Sequence, residues 1–134
     1  VIVDRGEMIL REIRHSLYPG IHQSISQVAA KVASLDGLFV PAHVDRRMNG
    51  LYAQMGIFPE DLQPDAIEIH RAANSERILE AHPELKSFSL LKNSDAHYPE
   101  DVGRACSEMI MEKPSFEELR LALGSKNGRK VIPV

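Results

Sequence analysis

The feature that most constrains the fold is an alternation of short apolar runs with amphipathic segments. The apolar runs at residues 38–42, 66–69 and 88–92 are too short for helices and are bounded by turn residues, so each predicts a buried strand. The segments between and after them contain apolar residues at helical spacing. Strands that alternate with short helices form βαβ units, in which neighbouring strands are parallel. The sequence therefore predicts an α/β fold with mainly parallel strands.

The helices are predicted from capping residues and from apolar spacing. Ser24 with Gln27, and Ser115 with Glu118, have the three-residue separation of a capping box and precede apolar residues at helical spacing. The remaining expected elements are a helix over residues 7–17, a helix opened by Asn74 or Ser75 and closed before Pro83, a fourth strand within residues 106–112 and a last strand at residues 130–134.

Composition indicates one soluble globular domain over residues 1–134, with 43% apolar and 26% charged residues. Cys106 is the single cysteine, which favours a reducing, cytoplasmic compartment. No apolar run reaches the roughly 20 residues that cross a membrane. The formal net charge is −3 and the basic residues are scattered, so the sequence predicts no nucleic-acid-binding patch. Because the chain begins with Val1, we expect it to be a fragment of a longer protein.

Groups that can bind metals follow the predicted strands. His43 follows the first, His70 the second, and Asp95 with His97 the third. Because functional groups of parallel sheets gather at the carboxyl ends of the strands, we expect His43, Asp95 and His97 to converge. Imidazole and carboxylate together suit Zn²⁺, Mn²⁺ or Fe²⁺.

Simpler interpretations remain open for each of these residues. Asp95 lies in an Asn-Ser-Asp stretch that is also typical of a turn or helix cap. His43 has the alternative of a satisfied structural histidine, and His70 of a surface or capping residue whose role stays open. Arg46 is a candidate phosphate contact, because a guanidinium can donate two hydrogen bonds to one phosphate group in bidentate fashion. The alternative is that Arg46 belongs to a solvated loop.

Two motifs carry a resemblance to a known family. "GLFVPAHVDR" at residues 37–46 and "NSDAHYPEDVG" at residues 93–103 resemble the carboxyl-terminal half of the PHP (polymerase and histidinol phosphatase) superfamily, and the segment between them is also similar. The resemblance implies part of a distorted (βα)₇ barrel. It also implies a site with two or three divalent metals, in which His43, Asp95 and His97 are ligands. The family's early His-x-His motif is not found in this sequence.

The function implied by the resemblance is metal-dependent hydrolysis of a phosphate ester, with a small phosphate ester or a nucleotide as substrate. Asp95 would be the catalytic residue, holding a metal and orienting its water, and Arg46 would contact the phosphate. Since the ligand set is partial, we expect activity in the full-length parent and an inactive isolated chain, which self-associates or pairs with the remainder of the parent. The alternatives are a non-catalytic metal-binding or partner-binding module, and a hydrolase of a non-phosphate substrate.

Overall fold

A computed structural model describes residues 1–12 and 20–133 and has a mixed α/β fold. Its elements, in chain order, are β1 (Ile2–Val3), β2 (Ile9–Arg11), α1 (Ile25–Ser34), α2 (Leu51–Met55), β3 (Ile67–Glu68), α3 (Ser75–Ala81), β4 (Leu90–Leu91), β5 (Met109–Ile110), α4 (Phe116–Leu123) and β6 (Lys130–Val131), with 3₁₀ turns at Pro83–Ser87 and Pro99–Asp101. None of the described helices, of which the longest has 10 residues, is long and apolar enough to cross a membrane.

The centre of the fold is a parallel pair formed by β3 and β4. Ile67 pairs with Leu90 and Glu68 with Leu91. The Ile67 amide donates to the Ser89 carbonyl at 3.0 Å, and the Ile69 amide donates to the Leu91 carbonyl at 2.9 Å. The strands predicted at residues 66–69 and 88–92 are therefore observed, with regular pairing limited to a short central part.

The segment predicted as the first strand, residues 38–42, runs beside β3 without forming a regular strand. The Asp65 amide donates to the Phe39 carbonyl at 2.9 Å, and the Glu68 amide donates to the Pro41 carbonyl at 3.1 Å. Pro41 has no N–H to donate in return, which interrupts a ladder at this position. The Asp65 carboxylate instead accepts from the Phe39 amide at 2.7 Å. The segment is thus attached to β3 by isolated hydrogen bonds.

The other strand pairs differ from the expected parallel arrangement. β5 pairs with β6, and β1 pairs with β2, both antiparallel and in separate two-stranded sheets. The expectation of mainly parallel strands is therefore met only by β3 and β4 within the described residues. A partial (βα)₇ barrel is not confirmed.

The helix predicted over residues 7–17 is wrong for Ile9–Arg11, which form β2. The cause is a tight turn: the Asp4 carboxylate accepts from the Gly6 amide at 2.8 Å and the Met8 amide at 3.0 Å, folding the chain back onto β1. Residues 13–17 of the prediction lie outside the described residues.

The predicted helix caps are observed, one of them in altered form. Ser24 and Gln27 form the complete capping box of α1, and Asn74 caps α3. At α4 the Ser115 hydroxyl accepts from the Glu118 amide at 3.2 Å, but the Glu118 carboxylate accepts from Arg129 Nε at 2.9 Å. This ion pair lowers the pKa of Glu118 and ties α4 to the residue that precedes β6.

Both faces of the parallel pair are buried, as is usual for parallel strands. One cluster contains Ile67 and Ile69 and packs against α1, α2 and the segments around α3; the other contains Ala66 and Leu91 and packs against α4 and β6. The first cluster also includes Val44, which is fully buried. Burial of Val44 anchors the loop that carries His43 and Arg46.

Gly50 holds the same loop close to α2. A Cβ at this position would clash with the Arg46 carbonyl oxygen and would lie 2.7 Å from the Arg46 nitrogen and 2.9 Å from the Val44 oxygen. Contacts this short with backbone atoms can be relieved only by moving the chain.

We predict that Gly50→Ala lowers the free energy of unfolding by about 1–3 kcal/mol, the usual cost of inserting a methyl group into a packed site. Urea denaturation of the purified protein measures it. Gly20→Ala is the matched control, because none of the described residues lies within 4 Å of a Cβ there. A Gly50→Ala protein as stable as the control would contradict the role given to this glycine.

Candidate metal and phosphate site

His43 and Asp95 approach each other beside the carboxyl ends of β3 and β4. The His43 Nε2 and Asp95 Oδ2 atoms are 4.0 Å apart, although the residues are far apart in sequence. The exposed fractions of the two side chains are 16% and 30%, so the pair is shielded but reachable from solvent. The proximity expected of these two residues is therefore observed, while their role as metal ligands stays a prediction.

Both residues have a left-handed backbone, with φ of 29° at His43 and 48° at Asp95. This conformation is uncommon for residues other than glycine, although asparagine, aspartate and histidine adopt it more often than most. It also occurs at Glu7, Asp36, Asn49, Ser125 and Asn127, so it does not by itself mark a site. The candidate site is therefore defined by the proximity of His43 and Asp95.

Arg46 contacts the same carboxylate. Its Nη1 donates to Asp95 Oδ2 at 2.8 Å, and its side chain is 42% exposed. A guanidinium in this position neutralises Asp95 and is also available to an anion that arrives from solvent. Arg46 thus lies in the candidate site, where its guanidinium pairs with Asp95. Its role as a phosphate contact stays a prediction.

His97 turns back onto its own loop. Its Nδ1 lies 2.8 Å from the Asp95 carbonyl oxygen, so that nitrogen donates to the carbonyl when it is protonated. This leaves Nε2 as the ring nitrogen available to a ligand. His97 is exposed, and it lies beside the backbone of Asp95 instead of pairing with its carboxylate.

The chemistry of these donors suits a divalent metal, but they do not form a complete centre. Ligands about 2.1 Å from a tetrahedral zinc lie roughly 3.4 Å apart, so the 4.0 Å between His43 and Asp95 needs only a small adjustment. His43 Nδ1 is buried and has no hydrogen-bond partner among the described residues, so its ring has no fixed tautomer. Across residues 1–12 and 20–133, no three histidine, cysteine or acidic side chains converge to hold a metal.

A partly buried polar network supports the Asp95 loop. The Asn93 side-chain amide donates to Glu68 Oε2 at 2.9 Å, and its oxygen accepts from the Ser107 hydroxyl at 3.1 Å. Ser107 Oγ in turn accepts from the Lys92 amide at 2.8 Å. Asn93 therefore ties the end of β4 to β3 on one side and to the following loop on the other.

A parallel contact supports the His43 loop. The Asp45 carboxylate accepts from the His70 amide at 2.6 Å, which joins the loop after residues 38–42 to the end of β3. His70 serves here through its backbone. Asp45 was not predicted as a site residue from the sequence. Its position two residues after His43 is the signal that could have identified it.

A cavity of about 240 Å³ opens beside Asp95. Its walls combine cationic, imidazole and aromatic side chains: Arg46, His70, Arg71, Ser94, Asp95, His97, Tyr98 and Asp101. Arg71 lies 3.5 Å from the Ser94 carbonyl, and Tyr98 is 66% exposed. Sequence reasoning did not select Arg71 or Tyr98, because only tertiary folding brings residue 71 against the loop at residues 94–98.

Comparison with known proteins found a relative by sequence but no matching family. No family model matches the chain. An uncharacterized protein, YqxK of Bacillus subtilis, is 30% identical over 118 residues, which are 84% of this chain and 30% of that protein. The chain thus spans less than a third of this relative.

Two solved structures share the fold. The lesion-specific endonuclease PfuEndoQ of Pyrococcus furiosus superposes with a TM-score of 0.71 at 29% identity, over 79% of this chain and 28% of that one. Endonuclease Q in complex with a 27-mer duplex that carries an abasic lesion at the active site superposes with a TM-score of 0.67 at 25% identity, over 84% and 29%. The structural neighbours are therefore endonucleases, one of them with duplex DNA bound, and membership of the PHP superfamily stays a prediction.

We predict that Asn93→Ala destabilises the protein by about 1–3 kcal/mol, because Glu68 and Ser107 each lose a hydrogen bond in a partly buried setting. Guanidinium denaturation followed by circular dichroism gives the value. Gln23→Ala, at an exposed amide ahead of α1, is the control and is expected to change stability by less than about 0.5 kcal/mol. Equal stability of the two variants would mean that the network does not hold the loop.

Proposed function

We propose that the full-length protein is a metal-dependent phosphoesterase that cleaves phosphodiester bonds of nucleic acid, and that this chain carries part of its active site. The observation that carries the proposal is the meeting of His43, Arg46 and Asp95 at the carboxyl ends of β3 and β4. The likeness to endonucleases, one of them with duplex DNA bound, supports nucleic acid as the substrate class. The sequence predicts no clear nucleic-acid patch, and the likeness to a duplex-bound endonuclease makes a nucleic-acid substrate possible all the same.

In this proposal the side chains have separate roles. His43 Nε2, the Asp95 carboxylate and His97 Nε2 would hold the metal, which when bound would supply Lewis-acid activation of water and neutralise charge on phosphoryl oxygens. Arg46 leaves Asp95 and donates to a phosphate oxygen of the substrate, since its half-exposed guanidinium can reach both. When the guanidinium moves to the phosphate, the positive charge of the metal would balance the Asp95 carboxylate in its place.

The neighbouring cavity would hold the nucleotide next to the cleaved bond. Arg71 supplies a second guanidinium for a backbone phosphate. Tyr98 presents an exposed ring on which a base can stack. Neither role requires a basic patch extending over the surface, which agrees with the net charge of −3.

The metal centre needs further donors. The described residues do not assemble three ligands, and the chain spans under a third of the proteins that it resembles. Multi-metal phosphoesterase sites need several more ligands than His43, Asp95 and His97. We therefore propose that the remaining ligands come from other parts of the parent protein, and that the isolated chain is inactive.

A non-catalytic role is the second candidate, and one observation favours it. Arg46 Nη1 donates to the Asp95 carboxylate at 2.8 Å, so this carboxylate has a partner within the protein. A module of this kind would bind nucleic acid through Arg46 and Arg71 without hydrolysis. Binding without cleavage by the full-length protein, with Mn²⁺ or Zn²⁺ present, would select this alternative.

We predict that Asp95→Asn in the full-length protein lowers metal-dependent cleavage of a duplex oligonucleotide by at least about 100-fold, because it removes a charged ligand. Asparagine is chosen because it tolerates the left-handed backbone that alanine would strain. Cleavage is measured on a labelled duplex with Mn²⁺ or Zn²⁺, and metal content by elemental analysis.

Asp36→Asn is the matched control. Asp36 is also a left-handed aspartate, with φ of 58°, but its side chain is 90% exposed and pairs with Arg120 outside the candidate site. The control is expected to retain full activity. Full metal-dependent activity of Asp95→Asn would mean that this acid is only a turn residue, and the phosphoesterase site would have to lie elsewhere.

We predict that Arg71→Gln raises the dissociation constant for an oligonucleotide about tenfold. The slope of log K against log salt concentration should fall by about one, and the cleavage rate at saturating substrate should change little. Fluorescence anisotropy at several salt concentrations separates these effects. Arg77→Gln, at an exposed arginine of α3, is the control. If both variants bind as the wild type does, the cavity beside Asp95 does not hold substrate phosphate.

A further inference from the structure

A larger cavity lies at the opposite edge of the parallel pair. Its volume is about 670 Å³, within the roughly 300–1,000 Å³ of small-molecule sites. Pro64 and Asp65, which precede β3, and Ser89, which precedes β4, belong to its wall. The candidate metal site follows the carboxyl ends of the same strands, so the two sites are separated by the length of the pair.

The cavity is cationic in a protein of negative net charge. Lys86, Arg120 and Lys126 line it, against one acid, Asp65. The Asp65 carboxylate is already committed to the Phe39 amide at 2.7 Å. The wall therefore carries an excess of positive charge.

Two of the three cations are available to a ligand. Arg120 pairs with the Asp36 carboxylate at 2.9 Å. Neither Lys86 nor Lys126 forms an ion pair with any acidic residue in the described part of the chain. The stem of Lys126 passes near Gly124, where a Cβ would lie 3.4 Å from its Cε, so the side chain follows the cavity wall.

A serine on the wall has an unsatisfied hydroxyl. Ser75 Oγ is buried and has no hydrogen-bond partner among the residues described. A buried polar atom without a partner is uncommon and calls for an explanation. Rotation about χ1 would turn this hydroxyl towards a ligand in the cavity.

Part of the remaining wall is apolar, while Ser87, Ser89 and Ser125 add polar groups to it. Leu79, Phe88, Leu90, Leu123 and Val131 line the same cavity. A wall of this composition matches a molecule with an apolar or aromatic body and an anionic end.

We propose that this cavity binds a small phosphate monoester with an aromatic body, of the nucleoside monophosphate class. Two unpaired lysines match the two negative charges of a phosphate monoester, and the Ser75 hydroxyl adds a donor. The apolar wall receives the base. The inference is independent of the phosphoesterase proposal, because no residue of the candidate metal site lines this cavity.

Isothermal titration of the full-length protein with adenosine monophosphate, adenosine and inorganic phosphate tests the proposal. We expect adenosine monophosphate to bind more tightly than either part alone. Lys86→Gln and Lys126→Gln should each weaken binding about tenfold, the usual effect of losing one charge-assisted hydrogen bond. Lys31→Gln, at an exposed lysine of α1, should leave binding unchanged.

Two further variants make the result specific. Ser75→Ala should weaken nucleotide binding several-fold and leave the thermal stability of the free protein unchanged, because its hydroxyl has no partner to lose. Arg71→Gln should not affect this titration, since Arg71 lines the other cavity.

The proposal is overturned if adenosine monophosphate does not bind, if Lys31→Gln weakens binding as much as Lys86→Gln, or if Arg71→Gln abolishes binding. The last result would assign the nucleotide to the cavity beside Asp95. The effect of Asp95→Asn on phosphoesterase activity does not test nucleotide binding in this cavity. The two proposals are therefore tested by different measurements, and either can be wrong without the other.

Discussion

The parallel pairing of β3 with β4 is the constraint on which the rest of the structure depends. The pair consists of four residues in regular register and is joined by two hydrogen bonds between backbone amides and carbonyls. Ile67 and Ile69 are buried on one face, and Ala66 and Leu91 on the other. Since the strands run in the same direction, the loops that follow them leave at the same edge. The approach of His43 to Asp95 at one edge of the pair is consistent with that direction.

The loops at the candidate site combine a left-handed backbone with a balance of charge. His43 and Asp95 have positive φ, and their loops are attached to the rest of the fold by buried Val44, the Asp45 carboxylate and the Asn93 network. Arg46 pairs with the Asp95 carboxylate. In the function that we propose, a divalent cation and this guanidinium would compete for the carboxylate, so that occupation of the metal site would release a phosphate-binding group.

The local parts of the fold were predictable because their causes are local. Ser24, Asn74 and Ser115 cap helices by accepting hydrogen bonds from amides three residues away. The wrong predictions concern competition between distant segments. Glu118 left its capping box for Arg129, and residues 9–11 became a strand because Asp4 folds the chain back onto β1.

The sequence by itself determined which groups follow each strand: His43, Asp95 and His97 are positioned by chain order, and the approach of His43 to Asp95 follows from parallel strand direction. Only the tertiary structure decided that Arg46 pairs with Asp95, that Arg71 meets the loop after β4, and that Lys86 and Lys126 share a cavity. These contacts join residues 23 to 49 positions apart, and their geometry is set by packing of the two apolar clusters. Periodicity along the chain does not contain that information.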